Sequence, residues 1–241
     1  ELIRILAETY DLEEEEITVG NGSSELLYTL PRLLGARRAL IPVPAYSDYA
    51  VVAALAGLEV EKLPLLEKEH FVLNMSELDS RLRVDDIVFI GQPANPTGYL
   101  CSAEELRGLA TGHPQTRFII DEAFADFLDD ADRLLHRRPA NMIVLCSLTK
   151  FYAIPGLRLG YAVADPEITR RVRRSLPTWS VNTLSQAVGE RALRDREYGA
   201  RSRHAVHTLR EELCEALRMM TGFTVYPGKA NFLLIRVDRQ Y

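Results

Sequence analysis

The sequence predicts an α/β protein, a mostly parallel sheet sandwiched by helices, followed by a partial α+β second domain. Two observations predict it. Short β-rich runs alternate with helical patterns along most of the chain, the signature of successive βαβ units. From Thr183 to Met220 that alternation gives way to one long helical span, with breaks expected near Asp195 and Gly199. We therefore divide the chain into residues 1–182, a large domain, and residues 183–241, a linking helix and the incomplete start of a smaller C-terminal domain.

The elements follow in order. Leu2, Ile3, Leu6 and Tyr10 keep helical spacing, and because the chain begins on Glu1 inside that pattern, its first residues are expected to be missing. Ile17-Thr18-Val19 is a short strand ending in Gly20-Asn21-Gly22-Ser23-Ser24, and the next helix runs from Glu25 to Leu34 with Ser23 or Ser24 as its N-cap. Residues 39–43 form a strand that passes through Pro44-Ala45-Tyr46 into a helix reaching Leu55, and residues 58–63 form another strand. Residues 86–90 are a buried strand opening into Gln92-Pro93-Ala94-Asn95-Pro96-Thr97-Gly98. Ser102-Ala103-Glu104-Glu105 starts a helix with a capping-box pattern. Phe118-Ile119-Ile120 is the strand that delivers Asp121, and Ile143-Val144-Leu145-Cys146 the strand that delivers Ser147-Leu148-Thr149-Lys150. Gly222 to Pro227 and a last strand, Phe232-Leu233-Leu234-Ile235, open the second domain.

Composition narrows the function. Of 241 residues 47% are apolar and 26% charged, the mix of a globular protein. A net charge of −5 argues against nucleic acid, which needs a basic footprint. The basic run Arg170-Arg171, Arg173-Arg174 reads as a solvated helix face. Cys101, Cys146 and Cys214 are too widely spaced for a C-x-x-C pair, and an odd count fits no disulfide framework. Reduced cysteines and a cytoplasmic location are the simplest account. No apolar run approaches the ~18 residues of a membrane span, and no metal-ligand pattern is present.

The chain has four lysines against twenty-five arginines, and Lys150 stands out among the four. It sits at the mouth of a buried strand, with hydroxyls on Ser147 and Thr149 and a cation on Arg158. Desolvation and nearby positive charge lower an ammonium pKa and leave the free amine that carbonyl chemistry requires. In an open parallel sheet, ligands gather beyond the carboxyl ends of the strands. Gly22-Ser23-Ser24, Tyr46, Asn95-Pro96-Thr97-Gly98, Asp121 and Ser147 to Lys150 all lie at such ends. Together they suit a flat pyridine aldehyde carrying a phosphate. The Gly22-Ser23-Ser24 helix start favours an anion, and Ser147, Thr149 and Arg158 add donors to it. Tyr46 could stack on the ring, Asp121 could hold its nitrogen protonated, and Asn95 could donate to its phenolic oxygen. Each residue alone has a plainer explanation: Lys150 a solvated strand end, Asn95 to Gly98 an ordinary turn, Asp121 a helix cap or ion-pair partner, Tyr46 packing, Ser23 and Ser24 simple caps.

The order Asn-Pro-Thr-Gly at 95–98, Asp-Glu-Ala-Phe at 121–124 and Ser-Leu-Thr-Lys at 147–150, with Arg158 eight residues on, resembles the pyridoxal-phosphate-dependent aminotransferase superfamily of fold type I. Within its class-II branch the match is to threonine-phosphate decarboxylases and histidinol-phosphate aminotransferases, from about Leu2 to about Val237. The resemblance implies pyridoxal 5'-phosphate as cofactor and Lys150 as its Schiff-base lysine. It makes Asp121 the partner of the pyridinium nitrogen, Asn95 the donor to the phenolic oxygen and Tyr46 the stacking ring. Ser147, Arg158 and the Gly22-Ser23-Ser24 turn become the phosphate cup, to which Thr149 is added on position alone. Tyr152, Pro155 and Trp179-Ser180-Val181-Asn182 resemble the decarboxylases, as does Phe124, where aminotransferases usually carry a tyrosine. The implied substrate is O-phospho-L-threonine and the implied product aminopropanol phosphate, used in cobalamin biosynthesis. The alternative is histidinol-phosphate or related transamination. The resemblance also implies a homodimer, a small amino-acid phosphate as partner, and substrate-anchoring arginines in a carboxyl-terminal portion absent from these residues.

Two other classes compete. Ser147-x-x-Lys150 matches the serine–lysine motif of penicillin-binding proteins, but the Ser-Asp-Asn and Lys-Thr-Gly partners do not occur. A cofactor-binding sensor domain would need a DNA-binding segment, which these residues do not contain.

Overall fold

Side chains alternate across a strand, so Ile87 and Phe89 face one side of the sheet while Val88 and Ile90 face the other. Both sides are covered, and every residue of this strand is buried. That is why it reads in sequence as an unbroken apolar run. The computed structural model describes residues 1–128 and 133–238. Its seven-stranded sheet contains β1 (Ile17–Asn21), β2 (Arg38–Val43), β3 (Glu59–Pro64), β4 (Asp86–Gly91), β5 (Arg117–Asp121), β6 (Met142–Ser147) and β7 (Leu159–Val163). The order across it is β1-β7-β6-β5-β4-β2-β3. Strands β3, β2, β4, β5 and β6 are parallel, while β7 runs against both β6 and β1. The sheet is thus mixed but mostly parallel, and the carboxyl ends of β1, β2, β4, β5 and β6 share one edge with the start of β7.

Helices cover both faces. One face packs against α1 (Leu2–Tyr10), α4 (Met75–Arg81), α5 (Ala103–Gly112) and α8 (Thr183–Arg194) through Leu6, Leu78, Leu106 and Leu193. The other packs against α2 (Gly22–Leu33), α3 (Asp48–Leu55) and α7 (Pro166–Ser175) through Leu26, Leu30, Val52 and Val172. The one-turn helix α6 (Leu148–Phe151) follows β6. At the opposite edge, Arg38 and Asp86, both nearly inaccessible, pair through Nε and Oδ1 at 2.9 Å and so register β2 against β4. Beyond α8 come α9 (Arg196–Arg218) and a separate two-stranded sheet of β8 (Phe223–Val225) and β9 (Ile235–Val237).

The structure corrects three boundaries. Helix α2 starts at Gly22, not Glu25, so Ser23 and Ser24 lie inside its first turn and do not cap it. Gly22 turns with φ +75° straight out of β1, and the Glu25 carboxylate accepts the Asn21 N–H at 2.7 Å. The long helical span breaks at Asp195 but not at Gly199. The Asp195 side chain accepts the Tyr198 N–H at 2.9 Å and caps α9, leaving Gly199 inside its first turns. The last strand is Ile235–Val237, shifted from 232–235, because its partner is only three residues long and pairs Val225 with Ile235. Phe232 turns instead to meet Phe124 edge-on at 5.0 Å. Among the described residues no helix is long and apolar enough to cross a membrane.

Candidate active site

The carboxyl edge of the sheet opens into a pocket of about 130 Å3, its mouth in solvent, lined by residues that include Ser23, Ser24, Tyr46, Asn95, Asp121 and Lys150. Five separate strand ends contribute to it, as the topology requires. Gly22, Ser147, Thr149 and Arg158 are not among its lining residues; Ser147 and Thr149 reach it through Lys150, and Arg158 lies against Gly22.

Lys150 reaches the pocket from α6. Its Nζ donates to Ser147 Oγ at 3.2 Å, and Ser147 and Thr149 share a hydroxyl contact of 2.8 Å. Both hydroxyl residues are buried, so the Thr149 hydroxyl braces Ser147, which in turn holds the amine. Lys150 is exposed by surface area because its tip faces the open pocket. Its pKa is nonetheless lowered, first by desolvation from the surrounding protein and then by Arg158, against the raising field of Asp121. The shift is toward the neutral amine.

Asp121 ends β5 at the pocket floor. Tyr49 donates its hydroxyl to Oδ2 at 2.8 Å, and the Ala123 N–H donates to Oδ1 at 3.0 Å. Part of the residue remains accessible through the mouth, but protein encloses the carboxylate, and desolvation raises its pKa. The two hydrogen bonds and Lys150 oppose that rise. Tyr46 is half-buried, donates to Asp48 Oδ2 at 2.9 Å, and has its phenol pushed up to about 12, first by desolvation and then by Asp48. Asn95 lies in the turn after β4, which Gln92 closes by bonding the Cys101 backbone twice, at 2.7 and 2.9 Å.

Arg158 closes against the chain where α2 begins. A Cβ on Gly22 would lie 2.7 Å from Arg158 Nη2, and one on Gly160 would lie 2.3 Å from the Ser23 backbone nitrogen. Two glycines therefore let Arg158 and the first turn of α2 come together. The helix start supplies N–H groups and a positive dipole end, and Arg158 supplies a cation. Arg158 itself adopts φ +50°.

Comparison with known proteins places this geometry. The model of the family described as aminotransferase class I and II matches residues 1–240. The chain belongs to the class I and II aminotransferase family. It is 37% identical over 247 residues to the threonine-phosphate decarboxylase of Salmonella typhimurium, covering 99% of this chain and 67% of that protein. It is 34% identical over 235 residues to the histidinol-phosphate aminotransferase of Thermococcus gammatolerans, covering 97% of this chain and 66% of that protein. The crystal structure of the histidinol-phosphate aminotransferase from Clostridium acetobutylicum superposes with a TM-score of 0.90 at 27% identity, covering 99% of this chain and 72% of that one. The chain thus spans about two thirds of the length of such relatives.

Members of this family are enzymes that use pyridoxal phosphate, and the residues here fit it. The Gly22–Arg158 cradle suits the phosphate, Asp121 and Lys150 stand in the same pocket, and Tyr46 supplies a ring beside them. Three contributors were not legible from residue order. Tyr49 reads as a packing residue of an alanine- and valine-rich helix. Gly160 acts only through a close approach between β7 and α2. Gln92 works on a backbone nine residues away. Their only sequence signal is proximity to the motifs themselves.

Proposed function

We propose that the protein decarboxylates O-phospho-L-threonine to aminopropanol phosphate, with Lys150 as the catalytic amine and pyridoxal phosphate as cofactor. In this reading residues 1–182 hold the cofactor, 183–241 open a second domain, and the protein works in the cytoplasm as a homodimer. The observation that carries the reading is Phe124. Its ring lies beside Lys150, with Nζ 5.9 Å from the centroid, and it meets Phe232 edge-on. A phenyl ring offers no hydroxyl at this place, so the wall next to the amine is apolar. A carboxylate held against such a wall is poorly solvated and sheds its charge by leaving as carbon dioxide.

When bound, pyridoxal phosphate supplies an aldehyde for amines and an electron-poor ring that stabilises a carbanion. The chain's own residues would do the rest. Gly22, Ser23, Ser24, Ser147 and Arg158 would hold the phosphate, and Tyr46 would cover one face of the ring. Asp121 would keep a proton on the ring nitrogen, and Asn95 would donate to the phenolic oxygen. Lys150, as its ammonium, would return a proton to the carbon that carbon dioxide leaves, and a lowered pKa makes that ammonium the stronger acid. The 37% identity to a threonine-phosphate decarboxylase supports this reading.

A second reading, transamination of histidinol phosphate or a related amino acid, is favoured by the 34% identity to a histidinol-phosphate aminotransferase. The residues that orient the substrate would separate the two, since small rotations of a held substrate decide which bond reacts. The deciding experiment incubates the full-length protein with pyridoxal phosphate and phosphothreonine. Carbon dioxide release without a keto acid is expected. Product that forms only when 2-oxoglutarate is added would establish the aminotransferase instead.

A further inference from the structure

Tyr49 is fully buried and belongs to no motif, yet it touches two of the residues assigned to the ring of the cofactor. Its hydroxyl donates to Asp121 Oδ2 at 2.8 Å. Its ring meets Tyr46 edge-on at 5.6 Å and 85°. On the far side it stacks on Phe89 of β4, at 5.4 Å and 16°. With only 2% of its surface accessible, it has no freedom to leave these partners. We propose that Tyr49 is a positioning residue that fixes the Asp121 carboxylate in its ionised form and aims it into the pocket. The inference rests on the pyridoxal-phosphate reading of the site and deepens it.

The argument is one of accounting for donors. A carboxylate has two oxygens, and in Asp121 each has one fixed partner, Tyr49 on Oδ2 and the Ala123 N–H on Oδ1. The Ala123 donor comes from the same turn of chain and moves with Asp121. Tyr49 comes from α3, anchored independently by Phe89, so among the described residues it is the donor that fixes the carboxylate against the rest of the fold. The groups facing Asp121 are Tyr49 and Tyr46 from the α3 side and Lys150 from α6. Desolvation pushes the Asp121 pKa up, and the Tyr49 hydrogen bond is the largest influence pulling it back down. Donation to the charged form favours that form. Without the hydroxyl, the carboxyl group would keep its proton to higher pH and would hold one on a ring nitrogen less well.

Tyr49→Phe tests this, since it keeps the ring, the Phe89 stack and the Tyr46 contact and deletes only the donor. Pyridoxal phosphate is titrated into the purified full-length protein, and the visible absorbance of the Lys150-linked cofactor is followed from acid to neutral pH. A hydrogen bond to a charged group corresponds to roughly tenfold or more in an equilibrium constant. Y49F should therefore bind the cofactor about tenfold more weakly, and the acid limb of its titration should move to higher pH. Phe89→Leu, which loosens the stack but keeps the hydroxyl, should lower the melting temperature and move the acid limb much less than Y49F does. Y49F with wild-type affinity and an unmoved acid limb would overturn the proposal. So would an F89L limb that moves as far as that of Y49F, because packing would then explain both. A wild-type protein that binds no pyridoxal phosphate would instead overturn the reading on which the proposal rests.

Discussion

Arg158 and Asp121 act on Lys150 with opposite sign, and that opposition makes the site testable one residue at a time. Arg158 lowers the Lys150 pKa and Asp121 raises it. Replacing Arg158 by glutamine removes the lowering field, so the ammonium persists to higher pH. Attachment of pyridoxal phosphate should then need more alkaline conditions. Affinity should also fall about tenfold or more, because a charge-assisted contact to phosphate is lost. A pH titration of the visible band separates the two effects, and a midpoint that does not rise would sink the assignment of Arg158. Lys150→Ala should abolish the borohydride-reducible adduct altogether, as read by mass spectrometry. Lys150 was legible in the sequence because lysine is so scarce here and because its neighbours are chemically marked. Tyr49 was not, because a tyrosine in an apolar helix has the same appearance whether or not its hydroxyl reaches a carboxylate across the fold.

The elements differ in how openly they declare themselves, and burial explains the difference. β4, β5 and β6 are covered on both faces and read as apolar runs. β7 is as fully buried, but it follows a turn-rich segment containing Pro155 and Gly156, and its Gly160 breaks the run. Gly160 pairs with Ser147 in the sheet and with Gly20 on the other side, so it sits between the Lys150 strand and the start of α2. A methyl group there would lie 2.3 Å from the Ser23 nitrogen and 2.8 Å from the Cys146 oxygen. Both are backbone atoms and cannot rotate away. Gly160→Ala should destabilise the fold by on the order of 1–3 kcal/mol, a loss of several degrees in melting temperature. It should also weaken cofactor binding by displacing the first turn of α2. An unchanged melting curve would show that the approach is looser than described. The start of α2 was misplaced in sequence for the same reason: serine's preference for the N-cap is a local rule, and the contact that moves the helix start to Gly22 is a tertiary one.

Across the whole molecule, the carboxyl edge of the sheet is closed on one side by the chain that follows α9. The Lys229 N–H donates to the Gly98 carbonyl at 2.7 Å, and Arg210 Nη1 donates to the Gly228 carbonyl at 2.6 Å. This segment therefore lies on the turn that holds Asn95, and Phe232 continues along it to Phe124. Its outer attachment is Glu67, whose carboxylate accepts from both the Tyr226 hydroxyl and Arg236 Nη1. Tyr226 also meets the ring of Phe71 edge-on at 5.2 Å. Glu67 lies far from Lys150 in sequence and does not line the pocket, so it separates attachment of the segment from the site. Glu67→Gln keeps the size of the side chain and removes its charge. Segments held by few buried contacts open most readily, so this variant should be cut several-fold faster by protease between 219 and 238. Lys150 should still form its reducible adduct, because the pocket floor of Asp121, Tyr49 and Ala123 is untouched. Cleavage at the wild-type rate would mean that the Gly98 and Phe124 contacts hold the segment without Glu67. Loss of the adduct would mean that the segment and the pocket floor are one cooperative unit.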